Sequence, residues 1–289
     1  MSLLILLETT RWAWVVVAVF LGLVIGSFLN VVIHRLPIML EREWAGQRTA
    51  ETGGTVEAAE RYNLVVPRSR CPHCGHLIHG YDNIPILSWL LLRGRCRACH
   101  ASISIRYPVV ELISAVLAGF LAWHFGFTWA AGGALILTWA LLALAAIDLD
   151  TQLLPDRITL PVLWLGLLFS LGHAFTDPKS AIIGAVAGYL SLWCVYQAFK
   201  LLTGKEGMGY GDFKLYALLG AWLGWQNLPV IILIAAGTGA VVGIALIVSR
   251  RTQRGSPLPF GPYLAVAGWI ALVWGRDIAS AYLRFMGGA

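Results

Sequence analysis

From Trp12 to Ile33 the chain runs for 22 residues without an ionisable side chain. At about 1.5 Å of rise per residue, a helix of that length spans the roughly 30 Å hydrocarbon core of a bilayer. Lipid offers no hydrogen bonds, so the backbone of such a run must satisfy itself as a helix. The run is too long for a signal-peptide core, no small-residue cleavage site follows it, and His34-Arg35 closes it like a stop-transfer flank. A permanent anchor is expected. Further apolar runs cover 109–125, 128–147, 158–175, 180–199, 213–225, 228–248 and 260–283. The expected fold is therefore an all-α polytopic membrane protein of about eight transmembrane helices. Only 12% of residues are charged, against about 25% in soluble domains. That excludes a soluble enzyme, although 289 residues would otherwise suit two soluble domains. Abundant aromatic and aliphatic residues exclude disorder.

One long polar stretch, 34–107, interrupts the apolar runs. With the N-terminus outside, lysines and arginines divide 17 cytoplasmic to 4 external, and ten of the 17 lie in 34–107. The cytoplasmic bias of basic loops fixes this orientation. It divides the chain into an N-terminal anchor (1–33), a cytosolic domain (34–107) and a seven-helix membrane domain (108–289). Residues 45–60 are small, polar and Gly-containing, which suggests a mobile loop. The net charge of +6 is accounted for by cytoplasmic loops, so no nucleic-acid partner is expected.

Cys71-Pro-His-Cys74 and Cys96-Arg-Ala-Cys99 are two CxxC pairs separated by 21 residues. Such knuckles can hold Zn2+ tetrahedrally between four thiolates, and a reducing cytosol disfavours the alternative of disulfides. Four sulfur ligands leave no open coordination position, so the zinc is expected to be structural, in a zinc-ribbon-like fold. His73, His76, His79 and His100 lie nearby as surface or supporting residues. Arg93, Arg95 and Arg97 suit anionic lipid headgroups better than nucleic acid. Cys194, alone in a span, reads as a small buried apolar residue.

Ionisable groups at membrane depth are costly and are functional candidates by default. They are Glu111, Asp148, Asp150, Asp156 and Asp212. Asp148 ends one apolar run, and Asp212 opens another within Gly209-Tyr210-Gly211-Asp212. Gly207, Gly209 and Gly211 give the backbone freedom for a close approach there. Two carboxylates in one cavity share a proton and can perform aspartic-protease chemistry: one draws a proton from water while the other hydrogen-bonds the scissile carbonyl. The plainer readings are a helix cap at Asp212 and solvated loop charges at Asp150 and Asp156. Proton or ion transport would use the same acids. A zinc-ribbon anchor that binds a partner is a third reading.

Seven blocks in order, GSFLNVVIHRLP (26–37), CPHCG with CRAC, YDNIPILSWL (81–90), RYPVVELI (106–113), IDLDTQLLPD (147–156), GKEGMGYGDFKLYALLGAW (204–222) and PFGPYLAVAGW (259–269), make the chain resemble the type IV prepilin peptidases, which are GxGD-type membrane aspartyl proteases. The resemblance implies that Asp148 and Asp212 are catalytic, and that Cys71, Cys74, Cys96 and Cys99 bind zinc. It implies removal of the basic leader of a prepilin or pseudopilin at the cytoplasmic face of the inner membrane, in type IV pilus or type II secretion systems. It also implies methylation of the new N-terminus by S-adenosylmethionine. No strand–GxGxxG–helix unit marks the methyl-donor pocket, and Gly22 and Gly26 read as a small-residue packing face. The cytosolic domain is the expected location of that pocket. Glu111 is either ion-paired with Arg106 or Arg157 or recognises the substrate's amino terminus.

Overall fold

The computed structural model describes residues 3–52, 61–249 and 258–285. Part of the expected loop (53–60) and three of the orienting arginines, Arg250, Arg251 and Arg254, lie outside the described residues. Ten α-helices follow in order: α1 Leu3–Thr9, α2 Arg11–Glu51, α3 Leu87–Leu91, α4 Arg106–Phe125, α5 Trp129–Thr151, α6 Asp156–Leu171, α7 Pro178–Thr203, α8 Tyr210–Leu223, α9 Leu228–Val248 and α10 Gly261–Phe285. Among the described residues the only β structure is a pair of isolated bridges. Each of the eight apolar runs falls on a helix. Among the described residues five helices (α2, α4, α5, α7 and, with its preceding turn, α9) are long and apolar enough to cross a membrane. The chain is thus a multi-pass helical protein, and helix length alone carries five crossings, not eight.

The chain forms two compact units, Met1–Ala131 and Gly132–Ala289. In the first, α2 and α4 run antiparallel along their lengths. Gly22 and Gly26 form the expected packing face: a Cβ on Gly22 would sit 2.7 Å from the Ala115 Cα, and one on Gly26 2.8 Å from the Glu111 Cα. Small residues let two helix backbones approach this closely. The approach lets Ser114 donate to the Gly22 carbonyl across the interface at 2.6 Å, and Asn30 to the Tyr107 carbonyl at 3.0 Å. The helix does not stop where the apolar run stops. It continues through Pro37 to Glu51, so residues 45–51 are helical, not a loop. Leucine, glutamate, arginine, alanine and glutamine past residue 38 are good helix formers whatever their polarity.

In the second unit α8 is central. From Asp212 to Leu223 only Lys214 is not buried. A helix apolar all round is covered by protein on every side. That explains how a 14-residue helix, about 21 Å long, stays buried without reaching across a bilayer. Trp222 donates to the Val162 carbonyl at 2.8 Å and stacks on Phe169, tying α8 to α6. Gly188 admits the Tyr216 carbonyl against α7. Cys194 is exposed on the outer face of α7, contrary to the expected burial. Helical phase puts it on the face away from Leu192 and Tyr196, which are buried.

Candidate active site and cysteine cluster

The buried stripe of α5 is Leu137, Leu141, Leu144 and then Asp148, spaced four, three and four residues apart. Asp148 therefore extends the core-facing side of its helix and is only 5% exposed. Asp150, two positions on, points the other way and is exposed. Asp212 is the third residue of α8, where Gly209 is the N-cap, and is 8% exposed. Its carboxylate bonds back to the backbone of Gly209, and its amide donates to the Gly209 carbonyl at 3.2 Å. The carboxylate contact is one half of a capping box; Gly209 has no side chain to return the other half. Asp212 is therefore not the N-cap itself; from the third position of the helix its carboxylate reaches back to the backbone of the N-cap residue. Asp212 also feels the charge of Asp148 directly. The two aspartates, 64 positions apart in sequence, are both buried in the second unit.

Two further residues, Gly261 and Leu154, pack beside the aspartates. The amide of Gly261, the first residue of α10, donates to Asp148 Oδ2 at 2.9 Å. Asp148 thus caps a helix N-terminus that has no intrahelical acceptor for this group. Leu154 wedges between the two sides: a Cβ on Gly211 would sit 2.8 Å from the Leu154 Cβ, and one on Gly261 3.2 Å from its Cδ2. Gly261 and Leu154 were not singled out from sequence. The available signal was Gly261-Pro262 opening an apolar run, a helix start whose free amide needs an acceptor. Asp156 is not buried with the two aspartates. It is exposed and ion-paired to Lys214 at 2.7 Å.

The cysteine cluster brings all four sulfurs within 4.8 Å of one another. Cys71 Sγ and Cys99 Sγ are 3.8 Å apart. A tetrahedron with Zn–S bonds of about 2.3 Å has an edge of about 3.8 Å, so the cluster has the right size for zinc. The two knuckles are built alike. The Cys71 amide donates to the His76 carbonyl at 2.9 Å, and the Cys96 amide to the Ala101 carbonyl at 2.8 Å. Bridges Arg70–Leu77 and Arg95–Ser102 close the two loops. Each turns at a left-handed residue, Gly75 (φ +69°) or His100 (φ +58°). The four nearby histidines are exposed and outside the sulfur cluster. Backbone amides of Cys74 and His73 pull the Cys71 thiol down to about 6. The Cys99 thiol receives a backbone hydrogen bond from Ala101 that favours its thiolate, yet the sulfurs of Cys74, Cys96 and Cys71, together with burial, push it up to about 12. Without a metal, four thiolates so close together cannot all be charged. Arg97 is held by Asp82 at 2.6 Å, so it is not an open lipid contact.

Glu111 is 7% exposed. Its Oε2 accepts from the Ile86 amide at 2.7 Å, and Ser27 also bonds its carboxylate. Arg106, one of the two expected ion-pair partners, is not among its contacts.

Comparison with known proteins gives concordant matches. A family profile described as the bacterial peptidase A24 N-terminal domain matches residues 20–125, and one described as the type IV leader peptidase family matches 135–244. The prepilin leader peptidase/N-methyltransferase of Stutzerimonas stutzeri is 56% identical over 96% of this chain and 97% of its own length. The protein of that name from Pseudomonas aeruginosa is 54% identical over 99% of both chains. That from Aeromonas hydrophila is 57% identical over 94% of both. No solved structure matches significantly.

Proposed function

The chain belongs to the type IV leader peptidase family, and on that premise we propose that Asp148 and Asp212 are its proteolytic pair. Its activity is prepilin processing, in which leader cleavage is joined to N-methylation. Relatives so similar over nearly the whole chain leave the transporter reading of the same acids without support. The observation that carries the assignment is that two buried aspartates, at the end of α5 and the start of α8, lie on either side of Leu154: Gly211, beside Asp212, and Gly261, whose amide holds Asp148, both pack against that side chain.

Two carboxylates in one buried pocket hold one proton between them. The ionised member takes a proton from the attacking water, and the protonated member donates a hydrogen bond to the scissile carbonyl. The Gly261 amide fixes the rotation of Asp148 by occupying Oδ2. The capping contacts of Asp212 do the same on the other side. The substrate is read as a membrane helix with a basic cytosolic leader, cut after a glycine. A site at the cytoplasmic helix ends meets that bond at the inner leaflet. The basic residues on the same side support an N-out orientation in the cytoplasmic membrane. Cys71, Cys74, Cys96 and Cys99 would hold a structural zinc. S-adenosylmethionine, when bound, would supply the electrophilic methyl group that the new terminal amine takes up.

A cleavage assay on a prepilin, with the product scored by mass spectrometry, tests the pair. Asp148→Asn and Asp212→Asn should each leave the leader attached. Normal processing by either variant ends the assignment.

A further inference from the structure

The first unit contains a cavity of about 590 Å³ lined by α2, α4 and the cysteine-bearing segment. Its volume is that of a small-molecule site. Glu111 lies on its wall, nine-tenths buried, with an amide and a hydroxyl as its partners and no cation. A buried carboxylate without a counter-charge is costly, and a carboxylate has acceptor capacity beyond two hydrogen bonds. The amide that serves it comes from Ile86, whose φ is +58°. For a β-branched residue this is a strained conformation of the kind that persists where structure is committed to a ligand.

Arg35 lines the same cavity at 9% exposure. Its Nη1 donates to the Asn63 carbonyl at 3.0 Å, and its guanidinium lies 5.7 Å from the Tyr62 ring. Its remaining N–H groups have no carboxylate partner among the described residues. The rings of Tyr62 and Trp89 also face the cavity. The wall therefore offers one buried anion, one buried cation and aromatic faces, with anion and cation not paired to each other. A nucleoside that carries a positive charge, a carboxylate and a flat base matches all three features.

We propose that this cavity is the methyl-donor site, with Glu111 holding the cationic amino-acid end of S-adenosylmethionine and Arg35 its carboxylate. The proposal rests on the methyltransferase half of the function above and adds the place and the residues.

Equilibrium binding of S-adenosylmethionine to the purified full chain in detergent tests it, together with ultraviolet cross-linking of labelled donor and peptide mapping. Wild type should bind, Glu111→Gln should raise Kd at least tenfold, and the wild-type cross-link should map within 27–111. Unchanged affinity in Glu111→Gln with full zinc content overturns the proposal, and methylation lost at unchanged affinity would put the substrate amine at Glu111 instead. If Glu111→Gln loses zinc, the wild-type cross-link decides: a label confined to 132–289 overturns the site. Wild type that binds no donor at all overturns the methyltransferase reading itself.

Discussion

The amide of Gly261 and the carboxylate of Asp148 touch so closely that no side chain fits between them. The hydrogen bond is 2.9 Å, and a Cβ on Gly261 would sit 2.7 Å from Asp148 Oδ2. Gly261→Ala must therefore push the Asp148 carboxylate out of position or tilt the start of α10. Either change misplaces an acid–base group, and displacements of about 1 Å can cost about 10²-fold in rate. Prepilin cleavage by Gly261→Ala should fall at least tenfold in a timed assay scored by mass spectrometry. A wild-type rate would mean that Oδ2 need not be held.

The four aspartates of this region should separate cleanly on substitution. Asp148 and Asp212 are both buried, and general acid–base groups contribute about 10²- to 10⁴-fold. Their Asn variants should lose at least about 10²-fold. Asp156 is half in solvent beside Lys214, and such pairs contribute at most about 1 kcal/mol. Asp156→Asn and Asp150→Asn should therefore keep cleavage within about fivefold of wild type, on that same scale. A severe loss in Asp156→Asn would show that charge at the start of α6 matters to the substrate.

What could be read from sequence follows the range of the forces involved. The helices were legible because lipid imposes long apolar runs, and the four thiols because a knuckle is a local pattern. The joint burial of Asp148 was readable from its phase with Leu141 and Leu144. The end of α2 was not, because polarity changes at residue 34 while helix propensity does not. Gly261 acts on Asp148 from the start of another helix and Leu154 reaches Gly211 and Gly261 from the connection after α5, so no periodic pattern carries them. The cavity beside Glu111 is likewise assembled from three distant segments. A search for a contiguous cofactor motif could not find it.

Zinc should be bound at about one per chain, with an affinity that depends on pH in two regimes. The ligands must be thiolates, so each thiol still protonated releases its proton when metal binds. The Cys71 thiol, favoured as thiolate by amides of Cys74 and His73, is already ionised above about 6. Above that pH it releases nothing, while Cys99, pushed up to about 12, still must. Below about pH 6 Cys71 adds one proton. The slope of log affinity against pH, measured by competition with a chelator, should steepen by about one proton per zinc on crossing pH 6. A single unbroken slope would mean that the Cys71 amides do not favour its thiolate.

Two glycines on α2 should respond oppositely to alanine. A Cβ on Gly22 would meet the Ala115 Cα at 2.7 Å and the Ser114 carbonyl at 2.8 Å. These are backbone atoms that cannot rotate away, so α4 must retreat and the Ser114–Gly22 hydrogen bond stretch. Overpacking of this kind costs about 1–3 kcal/mol. Gly46, further along the same helix, has nothing within 4 Å of its would-be Cβ. Alanine there only removes the flexibility penalty of a helical glycine, a gain of about 0.5–1 kcal/mol. Thermal unfolding in detergent should show Gly22→Ala below wild type and Gly46→Ala at or above it. A destabilised Gly46→Ala would mean that α2 is not helical at residue 46. An unaffected Gly22→Ala would mean that α2 and α4 are not in backbone contact.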